Sequence, residues 1–421
     1  MLPAARGCLL ALVLVAPPLG ADAPPLQAAH ARPLTDVVYE RTAERVERGR
    51  YLANAAIGCV LCHSERDEAA PGAPAVAGRE FAGAILDERE GRRMVAPNLT
   101  PDVETGAGGW SDDALARAIR EGVGHDGRGL SGPMWWWAFR RLSDEDVAAI
   151  VVYLRSLPPV RNPLPKRILS EEAERRAVES GVPLTAPVAA RDLADPVERG
   201  RYLIDIADCL GCHTGWEAPT NPGFYAGGNV ITRRDAARFS ANLTPDPSGL
   251  GGWTPEIFRG ALRNGRAGAL HPMMPWAAYR NLTDDDLAAI YAALRLATPV
   301  RHFVSNAHEP KACAVCGQEH GLGELNVAPV VARVERDLGA LERYAGRYRM
   351  DDIVYADVSV RDGALHVAFE GGPPTELIPI AGDRFAGIGL PSPVAFEIDA
   401  AGDVVAFVTY ELGPVRWPRS K

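Results

Sequence analysis

Two short stretches of sequence decide how this chain is built: Cys59-Val60-Leu61-Cys62-His63 and Cys209-Leu210-Gly211-Cys212-His213. Both have the pattern Cys-x-x-Cys-His. Six of the seven cysteines in the 421 residues belong to Cys-x-x-Cys pairs, and the seventh, Cys8, lies near the start. The third pair, Cys313-Ala314-Val315-Cys316, is followed by Gly317 instead of His. The first two pairs therefore share a chemistry that the third lacks.

The sequence around each Cys-x-x-Cys-His motif is also repeated, at a spacing of about 140 to 150 residues. The matching stretches are Glu47–Leu52 and Glu198–Leu203, Asn98–Asp102 and Asn242–Asp246, Gly108–Trp110 and Gly251–Trp253, and Asp146–Ile150 and Asp286–Ile290. The chain thus holds two copies of one module. In each copy a helix leads into the Cys pair, and a second helix closes the module.

The closing helices have clear start signals. Ser143-x-x-Asp146 and Thr283-x-x-Asp286 are typical of N-terminal caps, with acidic residues where the helix dipole favours them. Apolar residues then follow at helical spacing. Gly49 and Gly200 recur one helix-length before each Cys pair, which predicts close packing of another backbone, that of the closing helix of the same module.

The Cys-x-x-Cys-His pattern predicts covalently attached haem. Two thiols can add across the two vinyl groups of the porphyrin, and the adjacent His can bind the iron from the same helical turn. A zinc site and a redox disulfide are the alternatives, but neither requires His at that position. We predict two haem c groups, attached at Cys59 and Cys62 and at Cys209 and Cys212, with His63 and His213 as iron ligands.

Methionines are the candidates for the sixth iron ligand. Met134 and Met274 occupy equivalent positions ahead of the two closing helices, with Met94 and Met273 as rivals. A thioether on iron raises the reduction potential and closes the coordination sphere, which favours electron transfer over substrate binding. The run Trp135-Trp136-Trp137 is predicted to pack around the porphyrin and between modules.

Charge and the N-terminus indicate an exported protein that does not bind nucleic acid. The net charge is −9, and no dense Lys/Arg run is present. Arg6, the apolar run Cys8–Ala16 and Ala21-Asp22-Ala23 form a predicted signal peptide with its cleavage site. No later segment is apolar enough over about 18 residues to span a membrane. We expect a periplasmic protein without a membrane span in the mature chain.

The C-terminal part changes to a period of two. Alternating apolar residues flank a turn at Asp362-Gly363, and a second hairpin is predicted around 394–408. Between the second module and this tail lies Cys313-x-x-Cys316. An oxidised Cys pair is the leading interpretation in an oxidising compartment. A metal site completed by His308 and His320 is the second, and inert thiols are the third.

These motifs resemble those of class I cytochrome c domains, and most of all those of the cytochrome subunits of bacterial alcohol- and gluconate-type dehydrogenases. The features that carry the resemblance are both Cys-x-x-Cys-His motifs, Asn-Leu-Thr-Pro-Asp, Gly-Gly-Trp and Pro-Met-Met-Pro-Trp. The resemblance implies proximal His63 and His213, with Met134 and Met274 distal. It also implies haem-propionate contacts from Trp110 and Trp253, and from Asn98 and Asn242. The tail from Tyr344 weakly resembles lipocalin-like accessory domains.

The expected fold is a multidomain one, with two all-α cytochrome c domains in tandem followed by a small all-β antiparallel sheet or barrel. The expected divisions are a signal peptide at 1–23, cytochrome domains at 38–160 and 195–303, linkers at 161–194 and 304–338, and the β domain at 339–421.

The predicted function is electron transfer through two His/Met-ligated haems. The expected partners are redox proteins, namely a dehydrogenase and a terminal oxidase or quinone-linked complex. A haem enzyme, such as a di-haem peroxidase or a thiosulfate-oxidising cytochrome, is the alternative, and it needs an iron with an open site. A sensing module that uses the β domain is a third possibility.

Overall fold

The structure is a computed structural model. It describes residues 28–420 apart from short gaps at 71, 131–132, 233–235, 269, 272, 329–333, 335–337, 351–353, 371–373, 388–389 and 391–392. The predicted signal peptide at 1–23 lies outside the described residues. None of the described helices has the length and apolar character needed to cross a bilayer.

The first repeat contains three helices of 9 to 13 residues and several short elements. In chain order these are α1 (Ala43–Tyr51), a π-helical turn (Leu52–Ala56), α2 (Cys59–Cys62), strands β1 (Ala84–Arg89) and β2 (Arg92–Ala96), α3 (Asp112–Glu121), α4 (Trp136–Phe139) and α5 (Asp144–Ser156). The predicted cap of α5 is confirmed, because Ser143 Oγ accepts a hydrogen bond from the Asp146 amide.

The second repeat follows the same order. Its elements are α7 (Pro196–Ile206), α8 (Cys209–His213), β3 (Val230–Thr232), β4 (Arg238–Phe239), α9 (Pro255–Gly268), α10 (Trp276–Tyr279) and α11 (Asp284–Leu294). Thr283 caps α11 as predicted. Each repeat also carries a two-stranded hairpin, which the expected all-α class did not include. These strands are short and irregular, so their sequences show little of the alternation of apolar and polar residues that is typical of a strand.

The predicted role of the repeated glycines is confirmed. A Cβ on Gly49 would lie 2.0 Å from the carbonyl oxygen of Ala149 in α5, and a Cβ on Gly200 would lie 2.0 Å from that of Ala289 in α11. The first and last helices of each repeat therefore meet backbone to backbone, and only glycine permits this contact.

The segment between the repeats is structured and packs on the first repeat. It contains helix α6 (Glu171–Ser180), and Ile168 pairs with Arg93 of β2. The carbonyl of Val188 accepts a hydrogen bond from the Asp144 amide at the start of α5. This segment is thus an arm of the first repeat as well as a connection.

Tyrosines link the two repeats in a reciprocal way. Tyr202 of α7 donates to Asp146 Oδ2 at 2.6 Å, and its hydroxyl accepts from the Ser143 amide at 3.3 Å. Tyr51 of α1 makes the equivalent bonds with Asp286 and Thr283 at the start of α11. Each repeat therefore completes the N-terminal cap of the other repeat's closing helix.

The tail forms an eight-stranded antiparallel sheet in simple sequential order. A hairpin of β5 (Ser305–Ala312) and β6 (Glu319–Gly321) and helix α12 (Leu338–Leu341) come before it. Its strands are β7 (Gly346–Arg349), β8 (Tyr355–Arg361), β9 (Ala364–Phe369), β10 (Thr375–Ala381), β11 (Arg384–Ala386), β12 (Val394–Ile398), β13 (Val404–Tyr410) and β14 (Pro414–Pro418). A bridge between Tyr348 and Arg419 brings the first and last strands together, so the sheet nearly closes into a barrel.

Both predicted hairpins of the tail are confirmed. Asp362 and Gly363 have φ of +48° and +79° in the β8–β9 turn, which suits a tight two-residue turn. Leu412, in the β13–β14 connection, is buried in the apolar core of the helical repeats, and its carbonyl accepts from Arg201 of α7. The sheet therefore docks on the second repeat.

Candidate haem-attachment site

Each Cys-x-x-Cys-His motif forms one short helical turn. Helix α2 begins after Gly58 and α8 begins after Asp208, and both preceding residues adopt left-handed backbone, with φ of +62° and +52°. Helical spacing puts the two cysteines and the His on one side of the turn. This arrangement presents two thiols and an imidazole together.

The two motif histidines have the same orientation. Nδ1 of His63 lies 2.9 Å from the carbonyl oxygen of Pro97, and Nδ1 of His213 lies 2.8 Å from that of Ala241. A carbonyl accepts only from N–H, so the proton sits on Nδ1 and the lone pair is on Nε2. Burial lowers the pKa of both imidazoles, which keeps them neutral. Each His is thus prepared to bind a metal through Nε2.

The four motif cysteines are free thiols. Burial raises the pKa of Cys59 to about 12 and that of Cys212 to about 11, and it also raises the pKa of Cys62 and Cys209. Thiols in such surroundings stay protonated until they form a bond. Each turn offers two thiols and one imidazole, one donor fewer than a closed structural metal site needs, so the set fits two thioether links and one iron ligand.

The predicted methionines lie in equivalent loops. Met134 and Met274 are partly buried against the same apolar core as Cys59 and Cys209. Each Met carbonyl accepts from the amide two residues later, at the start of α4 or α10. Met273 is 55% exposed, which separates it from its neighbour Met274.

The rival methionine of the first module lies on a strand, away from the Met134 loop. Met94 sits on β2, where its Sδ accepts a hydrogen bond from Arg92.

The tryptophans and asparagines of the repeats differ in role. The Trp110 ring stacks on His125 at 4.1 Å between centroids, and Trp110 and Trp253 both border the apolar core. Asn98, in contrast, is fully engaged: its Nδ2 donates to the carbonyl of Val160 at 2.8 Å and its Oδ1 accepts from Thr100.

Asn242 makes the same two bonds, with Val300 and Thr244. The asparagines therefore brace the loops that hold Pro97 and Ala241, and the suggested propionate contact from Asn98 and Asn242 has no free donor to support it.

The structure brings the two motifs to one interface, which the sequence did not predict. A Cβ on Gly58, just before α2, would lie 3.2 Å from the Cβ of Ala278 in α10. Trp137 Nε1, in α4, donates to Asp208 Oδ2, just before α8, at 3.3 Å. The Met-loop helix of each module thus packs beside the Cys-x-x-Cys-His turn of the other. Tyr51 and Tyr202, at equivalent positions of the two repeats, bond across the same boundary.

The third Cys pair departs from two expectations. Cys313 and Cys316 are free, so the predicted disulfide is not formed. His308 is exposed and bonds to Ser305, so it is wrong as a candidate ligand. The His that joins His320 beside the pair is His302, which the sequence places eleven residues before Cys313 and which folding brings back.

Residues 46–158 match the family model for cytochrome c. The chain is 29% identical over 267 residues to the fructose dehydrogenase cytochrome subunit of Gluconobacter japonicus, covering 59% of this chain and 52% of that protein. It is 30% identical over 272 residues to the gluconate 2-dehydrogenase cytochrome c subunit of Pantoea cypripedii, covering 59% of each.

A di-haem cytochrome c-type protein of Cereibacter sphaeroides is 29% identical over 199 residues, which is 46% of this chain and 61% of that protein. The chain spans about half to three fifths of the length of these relatives. The predicted resemblance is confirmed: residues 46–158 are a cytochrome c domain, and the chain is a relative of the cytochrome c subunits of bacterial dehydrogenases.

Proposed function

We propose that this protein is a periplasmic di-haem cytochrome c that relays electrons between a dehydrogenase and a respiratory-chain acceptor. The two repeats, at about 38–160 and 195–303, are its tandem cytochrome domains. Haem c is held through Cys59, Cys62 and His63 and through Cys209, Cys212 and His213. Bound haem supplies a one-electron iron couple.

The neutral imidazoles support this assignment. His63 and His213 are each fixed by a backbone carbonyl, so that Nε2 is the free lone pair. Met134 and Met274 are the proposed sixth ligands, supported by their equivalent, half-buried loops. With both axial positions filled, neither iron would offer a site for substrate, which favours relay over catalysis.

The main support for the proposal is the interface between the two Cys-x-x-Cys-His turns. Helix α10 of the second module packs against α2 of the first, and the hydroxyl of Tyr279 in α10 donates to the Ala207 carbonyl at 3.0 Å. Tyr279 is buried and thereby also fixes the turn that leads into Cys209. The interface holds the two attachment turns in a fixed relation, as an internal relay requires.

The partners are inferred from relatives that are named as subunits of fructose and gluconate dehydrogenases. A dehydrogenase would supply electrons, and a quinone-linked complex or terminal oxidase would accept them. Trp110 and Trp253, at the edge of the core, are the proposed contacts to the haem propionates through their indole N–H groups.

A redox titration with optical and magnetic spectra tests the proposal. We expect two haems per chain, both low-spin, both with thioether ligation and positive potentials. His63→Ala and His213→Ala should each perturb one haem and leave the other. A high-spin ferric haem in the unaltered protein, or turnover of peroxide, would instead favour the haem-enzyme alternative.

A further inference from the structure

Outside the haem-attachment turns, four potential metal ligands meet in the segment that joins the second repeat to the β sheet. They are His302, Cys313, Cys316 and His320, and their ligand atoms all lie within 4.8 Å of one another. Their exposed fractions are 0%, 3%, 0% and 0%, respectively. Two thiols and two imidazoles, gathered without solvent contact, form a donor set that suits a single ion.

The orientation of His302 is independent evidence for a ligand at this cluster. Its Nδ1 lies 2.8 Å from the carbonyl oxygen of Ala226, which fixes the proton on Nδ1. Its Nε2 is buried and has no hydrogen-bond partner among the residues that the structure describes. A buried lone pair without a donor costs free energy unless something binds it. The ring is also held in place, since a Cβ on Gly228 would lie 2.7 Å from its Cε1.

His320 has the same arrangement. Its Nδ1 lies 3.2 Å from the Gly321 carbonyl oxygen, and its Nε2 lies 3.3 Å from the Sγ of Cys316. The two imidazole rings meet edge to face at 5.2 Å between centroids. Both histidines therefore direct Nε2 toward the sulfurs.

The Cys pair lies in a turn shaped to present its sulfurs. The Cys316 amide donates to the Sγ of Cys313 at 3.5 Å, which stabilises negative charge on that sulfur. The Gly317 amide donates to the Cys313 carbonyl at 2.9 Å, and Gly317 has φ of +72°. This left-handed glycine explains why Gly, and not the haem-ligating His, follows the third Cys pair.

We propose that His302, Cys313, Cys316 and His320 bind one Zn²⁺ ion in a closed tetrahedral site. Zn²⁺ accepts two sulfurs and two nitrogens in a tetrahedral arrangement and has no redox chemistry of its own. Four protein ligands leave no open position on the ion. Binding converts both thiols to thiolates and releases two protons to solvent, with no change in oxidation state. The site is independent of the proposed electron-transfer function.

The proposed zinc is structural, and its neighbours show what it secures. Gln318 Nε2 donates to the Gly228 carbonyl at 2.7 Å, and the Thr220 amide donates to the Cys316 carbonyl at 3.2 Å. The amide of Gly227, next to the carbonyl that holds His302, donates to the carbonyl of His213 at 2.8 Å. The segment that carries Cys313 and Cys316 thereby braces the loop behind the second haem-attachment turn.

The metal content and ligand shell of the full-length, haem-loaded protein test this proposal. We expect about one zinc per chain by elemental analysis, and a zinc K-edge absorption spectrum with two sulfurs at about 2.3 Å and two nitrogens at about 2.0 Å. Haem iron does not interfere at this edge. A metal-free protein with a Cys313–Cys316 disulfide in mass spectra, or iron beyond the haem content in place of zinc, would overturn the proposal.

Two histidines give a matched pair of variants. His302→Ala should reduce bound zinc at least tenfold, while His308→Ala, which removes an exposed imidazole from the same segment, should retain it. His302→Cys keeps a ligand at the position and should retain zinc with a third sulfur in its shell, so poor folding of His302→Ala does not decide the outcome. Equal zinc loss in His302→Ala and His308→Ala would contradict the assigned ligand set.

Discussion

The hydroxyl of Tyr202 donates a hydrogen bond to Oδ2 of Asp146, 2.6 Å away, across the boundary between the two repeats. Asp146 lies in the first turn of α5 and is also held by Arg48 of its own repeat at 2.7 Å. Since Tyr51 and Asp286 repeat the relationship in the opposite direction, the boundary is a pseudo-symmetric interface. The interface contains the N-terminal ends of α5 and α11, where the helix dipole favours acidic side chains.

We predict that Tyr202→Phe lowers the free energy of unfolding by about 1 to 2 kcal/mol, because a buried, charge-assisted hydrogen bond is lost while the ring remains. Chemical denaturation of the haem-loaded protein measures this change. Tyr153→Phe is the control, since that hydroxyl bonds to Asn54 within one repeat. A double-mutant cycle with Asp146→Asn should give a coupling energy above about 0.5 kcal/mol, and additive effects would contradict the direct bond.

Gly200→Ala is predicted to be severely destabilising, by about 3 kcal/mol or more, because the new methyl group would overlap the backbone of α11. Gly260→Ala in α9 is the matched change: its Cβ would meet nothing within 4 Å, so helix propensity alone should stabilise by up to about 1 kcal/mol. Thermal unfolding of both variants distinguishes the two effects. Similar stability for both would refute the backbone contact.

Met274→Leu should remove the thioether ligation of one of the two haems and lower the potential of that haem, because the axial sulfur raises it. We expect about half of the thioether band intensity to disappear from the ferric spectrum. Met273→Leu, a change at the exposed neighbour, should leave the spectrum unchanged. A reversed result would place the ligand one residue earlier in the loop.

Glu411 should make stability depend on pH. Burial and the nearby Asp205 raise the pKa of Glu411 to about 7 from its ordinary value near 4.5. Between these values the folded state holds a proton that the unfolded state releases, so stability falls as pH rises through this window. The loss reaches about 3 kcal/mol above it.

Glu411→Gln should remove most of this decline, as measured by denaturation between about pH 5 and pH 9. Glu397→Gln, which breaks an exposed pair with Arg416, serves as the control for loss of a carboxylate. An unchanged pH profile in Glu411→Gln would show that another group is responsible.

The sequence predicted the parts of the fold that depend on local spacing. The caps at Ser143 and Thr283 and the turn at Asp362-Gly363 follow from neighbours within a few residues, and all are confirmed. The packing role of Gly49 and Gly200 follows from their recurrence in both repeats and is also confirmed. The sequence could not predict that Tyr202 reaches Asp146 or that His302 joins Cys313, because these contacts depend on how separate units pack. His308 was chosen instead because it is nearer in sequence, but β5 carries it away from the sulfurs.

The two haem-attachment turns differ in the residue that comes directly before them. The first has Gly58, while the second has Asp208, a partly buried carboxyl group that accepts a hydrogen bond from Trp137 of the first repeat. Burial raises the pKa of Asp208 above its ordinary value despite the hydrogen bond from Trp137, so this group can gain or lose a charge where Gly58 cannot. The two turns of a duplicated sequence thereby differ in their electrostatic surroundings, because the titratable group beside Cys209 has no counterpart beside Cys59.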